Sequence, residues 1–225
     1  MRAVNPAFWI QSILVYCIPT LFAITLHEVA HGWVARRCGD DTAWVAGRIT
    51  LNPLKHIDPV GTILFPLVLF VATGGSYALG YAKPVPVRLG RLRDPRKQAI
   101  LVILAGPACN FLQALLWAVV LVGLQVAGIR ERFFVGMAQA GVLVNLAMFA
   151  FNLLPIPPLD GGRALVELLP YKAAHALARL EPWGFMLVTL LVVAGFVDTW
   201  WMRPLIDLSL GAVRVVLSPL YSLFS

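Results

Sequence analysis

Apolar residues in this chain gather into repeated runs near the roughly 20 residues that cross a bilayer as a helix. The first covers residues 8–37, with Arg36 and Arg37 marking its far interface. A second, 60–79, contains Pro66 and the pair Gly74 and Gly75, which predicts a kinked or incomplete crossing. The third, 98–128, is introduced by Asp94 and Pro95, a helix cap followed by a first-turn proline. A fourth, 133–154, stops at a stretch rich in proline and glycine. Trp183 and the pair Trp200, Trp201 bracket a fifth, as interfacial aromatics do. The last, 204–224, carries Asp207 and Arg214 and either crosses or lies along the surface.

Two stretches between the runs read differently. "TAWVAGRITL", residues 42–51, has the β-branched residues and central glycine of a short strand or hairpin. "YAKPVPVRL", residues 81–89, reads as extended chain, because a residue before proline is pushed out of the helical region.

Composition sharpens this picture. Of 225 residues 60% are apolar and only 13% charged, against about 25% in a soluble domain, and the mean hydropathy is +0.81. The pattern is that of a polytopic membrane protein with little chain left for a water-soluble unit. One membrane-embedded domain is expected over 1–225, with a core at 8–165 and C-terminal helices at 166–225. The net charge of +7 would hint at nucleic acid in a soluble protein. Here most cations lie between or beside apolar runs, where they set orientation, and no nucleic-acid partner is expected. Cys17, Cys38 and Cys109 lack metal-ligand spacing and read as ordinary thiols. The first run continues past any cleavage site, so a removed signal peptide is not expected.

Within that first run stands "ITLHEVAHGWVARR", residues 24–37. His27 and His31 are four apart, so on a helix they project from one face about a turn from each other. Two imidazoles so spaced grip one zinc ion, and Glu28 beside them suits a general base on an activated water. Such groups inside a membrane span are costly to leave without partners, which weighs against a chemically silent role. A catalytic zinc usually takes three protein ligands and keeps one position open.

The best third ligand is Asp160, in "FNLLPIPPLDGGRAL", residues 151–165. Pro155, Pro157 and Pro158 must end the fourth helix, while Gly161 and Gly162 permit a sharp turn before a new helix near Arg163. Irregular backbone at membrane depth survives only when buried in protein or facing a wet cavity, so the break presents a carboxylate to water inside the fold. The alternative is an interfacial loop with an aspartate cap.

"HEVAH", "AGPACN" and "NLLPIPPLDGG", in this order, resemble the three signatures of the site-2 protease family, the intramembrane zinc metalloproteases. The resemblance covers roughly 8–163. "LNPLKHIDPVGT" followed by "YAKPVPV" is similar to a compact bacterial branch without PDZ or CBS domains, so control by such modules is not expected. It implies that His27, His31 and Asp160 hold one zinc per chain and that Glu28 is the acid/base residue. Asn110 and Asn152 match polar positions near the family's site, as groups steadying the substrate backbone or an oxyanion. Either asparagine is equally read as a helix-to-helix hydrogen bond. His56, in "PLKHIDP", lines the water path or touches substrate, or is a structural loop residue.

Depth constrains the topology. His31 lies five residues before Arg36, about 7.5 Å at ~1.5 Å per residue, so the metal sits near the exit side of the first span. Asp160 follows the end of the fourth. The third run must then start where the first ended, so the second either dips and returns or crosses and comes back through 77–89. A return puts thirteen cations on one side against four, and a single crossing gives ten against seven. The positive-inside rule prefers the former, with a cytoplasm-proximal active site and an external N-terminus.

The predicted fold is a membrane all-α, polytopic bundle of about five to six transmembrane or re-entrant segments, with small β elements near the active site. The predicted activity is hydrolysis of peptide bonds within or next to transmembrane segments of protein substrates, in a bacterial cell membrane. An extended substrate is expected to pair with an edge at 44–51 or 83–87. The oligomeric state is left open. The competing reading is a metal transporter or metal-binding membrane protein. Transport needs polar groups through both halves of the membrane, whereas the ionisable residues here cluster toward one side.

Overall fold

The structure, a computed structural model, describes residues 6–74 and 80–224, with side chains over 13–74 and 80–220. The tail of the second apolar run at 75–79, and Arg2 of the charge count, lie outside the described residues. Helix α1 spans Pro6–Arg37, and Gly39 at φ +112° turns the chain away from its end. Helix α2 is a single turn, Thr42–Val45. A π-helical turn Pro59–Leu64, capped by Asp58 accepting from the Val60 and Gly61 amides, leads into α3, Phe65–Ala72. Helix α4, Pro95–Val126, starts at the expected cap, where Asp94 accepts from the Lys97 N–H at 3.3 Å. Helices α5 (Arg132–Asn152), α6 (Asp160–Leu168), α7 (Tyr171–Ala178), α8 (Glu181–Val193) and α9 (Arg203–Phe224) follow.

Among the described residues three helices are long and apolar enough to cross a membrane: α1 from Ile13, α4 and α5. The pair α7 and α8, bent by 66°, counts as a fourth if taken as one broken span. α1, α4 and α5 pack on one another, with α6 and α9 against α4. Small side chains let the backbones approach: Ala23, Ala35, Ala114, Ala138 and Ala150 are fully buried. Leu101, Leu112, Leu116 and Val120 on α4 point outward, as lipid-facing positions do. A cluster of Ala35, Cys38, Leu92, Ala99, Val102 and Ala164 ties the end of α1 to the start of α4 and to α6. That cluster fixes the helix ends from which the candidate site is built.

After the second apolar run the chain is found again beside the run's start. The Tyr81 N–H donates to Gly61 O at 3.0 Å, and the Thr62 hydroxyl donates to Tyr81 O at 2.8 Å. A Cβ at Gly61 would stand 2.2 Å from the Tyr81 ring and displace it. The helical part, Pro59–Ala72, reaches about 21 Å at 1.5 Å per residue, short of a ~30 Å hydrocarbon core.

The small β elements do not form: among the described residues there is no strand. In 42–51, Asp40 accepts from both the Thr42 amide and its hydroxyl, an Asx turn that starts α2, and Gly47 at φ +63° ends the turn. Segment 81–88 is extended but pairs with no strand. Its inward N–H groups go elsewhere: Tyr81 to Gly61 O, Lys83 to His56 O at 2.9 Å, Val85 to Glu28 and Arg88 to Asp40. On the outward edge Pro84 and Pro86 have no N–H at all. The expected substrate-pairing edges are therefore absent at Trp44–Val45, which is helical, and lack donors at 84 and 86.

Candidate metal centre

Because α1 is regular through "HEVAH", His27 and His31 lie one turn apart on one face, edge to face with ring centroids 4.7 Å from each other. Asp160 reaches them as the first residue of α6, straight after the loop of Pro155, Pro157 and Pro158. The loop and helix nest closely. A Cβ on Gly161 would stand 2.1 Å from Leu153 O, and one on Gly162 2.1 Å from Pro157 N. Only the two glycines let the carboxylate arrive at this depth.

The three ligand atoms form a near-equilateral triangle. His27 Nε2 is 3.1 Å from His31 Nε2, and Asp160 Oδ2 is 3.2 Å and 3.4 Å from the two nitrogens. Ligand atoms at zinc's ~2.0–2.1 Å bond lengths and tetrahedral angles lie about 3.3 Å apart. Donor chemistry agrees. The His31 Nδ1–H donates to Val102 O at 2.8 Å, and a carbonyl only accepts, so Nε2 presents a lone pair.

For His27 the tautomer is fixed by a relay. The Asn145 amide donates to Gly141 O at 2.9 Å and accepts at Oδ1 from Asn110 Nδ2 at 3.0 Å. The other Asn110 proton goes to Ala23 O at 3.1 Å. Backbone carbonyls at both ends set the orientation of both amides, so Asn110 Oδ1 accepts from the His27 Nδ1–H at 2.6 Å. Two imidazole lone pairs and a carboxylate thus converge, and Asp160 Oδ2 is buried without a hydrogen-bond donor. Such an array repels itself unless a cation sits within it, and a zinc ion fits.

Glu28 faces the extended segment, where its Oε2 accepts from the Val85 N–H at 2.7 Å. Asp40, fully buried beyond the end of α1, accepts from the Arg88 N–H at 2.6 Å and from Thr42. Burial raises the pKa of Asp40, but these hydrogen bonds and Arg91 prevail and hold it below its usual 3.8.

The remaining expected residues separate. Asn110 is fully buried, with both amide protons and its Oδ1 engaged by Ala23, Asn145 and His27, and so links α4 to α1 and α5. Asn152 is half-buried and spends one proton on Met148 O at 3.0 Å. His56 is buried, its Nε2–H donating to Thr50 O at 2.9 Å and its own carbonyl holding Lys83.

Sequence reading missed Asn145, Asp40, the Val85 N–H and the Val102 carbonyl. It also missed Gly106 of "AGPACN", where a Cβ would stand 2.3 Å from His31 Nε2 and 2.6 Å from His27 Nε2. The glycine in that motif was the available signal. The backbone groups carry no signal in side-chain identity.

Comparison with known proteins finds zinc metalloproteases. The sequence pattern of peptidase family M50 matches residues 15–141. YwhC of Bacillus subtilis (strain 168), named as a candidate zinc metalloprotease, is 38% identical over 188 residues, covering 81% of this chain and 82% of that protein. The similarly named Rip2 of Mycolicibacterium smegmatis is 35% identical over 89% of this chain and 74% of its own length. Rip2 of Mycobacterium tuberculosis (strain H37Rv) is 32% identical over 91% and 79%. No solved structure matches. With the histidine helix inside the matched region and relatives covering most of both chains, this protein belongs to peptidase family M50, the site-2 proteases.

Proposed function

We propose that this chain is an intramembrane zinc endopeptidase that hydrolyses peptide bonds within or next to transmembrane segments of membrane proteins. The triangle of His27 Nε2, His31 Nε2 and Asp160 Oδ2 carries the reading, since its edges fit one tetrahedral ion per chain. When bound there, zinc supplies Lewis acidity toward the scissile carbonyl and the attacking water.

Glu28 takes the proton of that water as its oxygen bonds to the carbonyl carbon, and delivers a proton to the departing amide nitrogen as the C–N bond breaks. The Val85 N–H fixes Glu28 Oε2 and leaves Oε1 for this transfer. Asn110 orients His27, Asn152 is the asparagine left to touch the substrate backbone, and His56 braces the loop beside segment 81–88.

The whole of 1–225 acts as one membrane-embedded unit, with five to six crossing or re-entrant segments. Residues 60–79 enter and return, in keeping with Tyr81 beside Gly61. Thirteen of the counted cations then share the side of the metal, which orients the site to the cytoplasmic face of a bacterial membrane. The test is Glu28→Gln in reconstituted vesicles. Cleavage of a model transmembrane substrate should vanish while zinc content stays at one per chain. Retained cleavage, or vectorial zinc flux without cleavage, overturns the reading.

A further inference from the structure

The end of α1 carries a feature that peptide hydrolysis does not use. Trp33, Arg36, Arg37 and Arg93 line a cavity of about 360 Å³ at the point where the first apolar span stops. None of the three guanidinium groups has a carboxylate partner among the described residues, whereas the nearby Arg91 pairs with Asp41 at 3.5 Å. Asp94, next to Arg93, is taken by Lys97 at 3.8 Å. Three unpaired cations around one hollow repel each other and attract an anion.

The cluster is held in place rather than loosely gathered. Trp33, Arg36 and Arg37 share a face of α1 at i, i+3 and i+4. Arg37 stacks over Trp33 at 4.6 Å, and Arg36 over Trp44 at 3.7 Å. The Arg93 N–H donates to Cys38 O at 2.9 Å, which draws that residue back beside the end of α1. Gly39 leaves the room: a Cβ there would stand 3.1 Å from Arg93 Cγ.

We infer that this hollow binds the phosphodiester headgroup of an anionic membrane lipid. Guanidinium forks match phosphate oxygens in pairs, and Trp33, half exposed at the end of an apolar span, suits the boundary between headgroup and acyl chain. A lipid brings its charge and its acyl chain together at the boundary where Trp33 stands. The site lies five residues beyond His31 and bridges α1 to the lead into α4, whose Val102 carbonyl holds His31. A bound headgroup thereby clamps the two helices that position the metal ligands.

The test is native mass spectrometry of the full chain in neutral detergent, titrated with dioleoyl phosphatidylglycerol or dioleoyl phosphatidylcholine. Phosphatidylglycerol should bind and phosphatidylcholine should not. Arg36→Gln/Arg37→Gln/Arg93→Gln should weaken binding on the order of a hundredfold. Arg96→Gln, which removes charge outside the cavity, should leave it unchanged. Arg93→Gln alone, which disturbs neither stacked arginine–tryptophan pair, should lose about fivefold and serves if the triple variant folds poorly. Equal binding of the two lipids, unchanged affinity in both cavity variants, or equal displacement by glycerol 3-phosphate or hexaglutamate overturns the inference.

Discussion

His27 donates its Nδ1–H to Asn110 Oδ1 across 2.6 Å, and this contact turns the opposite nitrogen of the ring toward Asp160. Asn110→Leu keeps the bulk but leaves the ring free to rotate or change tautomer. Zinc affinity, measured by chelator competition, should fall about 10–100-fold, the usual cost of losing such a partner. Asn145→Leu should fall in the same direction by less, since Ala23 O still orients Asn110. An unchanged affinity in Asn110→Leu contradicts the positioning role.

Gly106→Ala should abolish metal retention, because its methyl group would occupy the space 2.3 Å from His31 Nε2. Metal analysis of the purified variant reads this directly. Gly123→Ala on the same helix meets nothing within 4 Å and should retain zinc while gaining up to about 1 kcal/mol of stability.

Asp40 gives a pH signature. Its folded-state pKa is lowered, so its contribution to stability is full above the unfolded value near 3.8 and is lost as pH falls through the folded value. Asp40→Asn should therefore destabilise the protein by about 1–3 kcal/mol at pH 7. The gap between wild type and variant should narrow only below about pH 4. Thermal melts between pH 3 and pH 7 test the sign.

Removing the metal should stop cleavage and lower thermal stability together, since an ion held by His27, His31 and Asp160 would tie α1 to α6. Dialysis against 1,10-phenanthroline followed by zinc should reverse both. Loss of activity with no change in melting would separate the ion from the helix contact.

The exposed pair Arg163–Glu181, at 2.9 Å, links α6 to α8. Glu181→Gln should change stability by less than about 1 kcal/mol and leave zinc content intact, as half-exposed ion pairs contribute little. Chemical denaturation in detergent measures it.

The histidine helix, the Asp94 cap and the return of the chain at Asp160 were legible because each is encoded locally, in spacing, capping or a proline break. The β elements failed for a non-local reason. Asp40 captures Thr42 and so commits 42–45 to a helical turn, and the amides of Tyr81, Lys83, Val85 and Arg88 are claimed by Gly61, His56, Glu28 and Asp40. Local propensity says that 81–88 is extended but not what its N–H groups meet. Asn110 stood out through its motif but not its hydrogen-bond partners, and Asn145 looks in sequence like any polar residue in an apolar helix. Only the approach of α1, α4 and α5 reveals that they form one relay ending at His27.

Gly184 on α8 lies so close to the proline loop that a Cβ there would stand 1.6 Å from Pro157 O, and Trp201 donates its indole N–H to Ala150 O at 2.8 Å. Val188 and Val197 bury Leu154 just ahead of that loop. A minimal fragment trimmed at Leu165 would retain every ligand and the general base, yet strip the backing from the turn that aims the carboxylate. Efforts to shorten this protease for expression should keep the chain through at least Trp201.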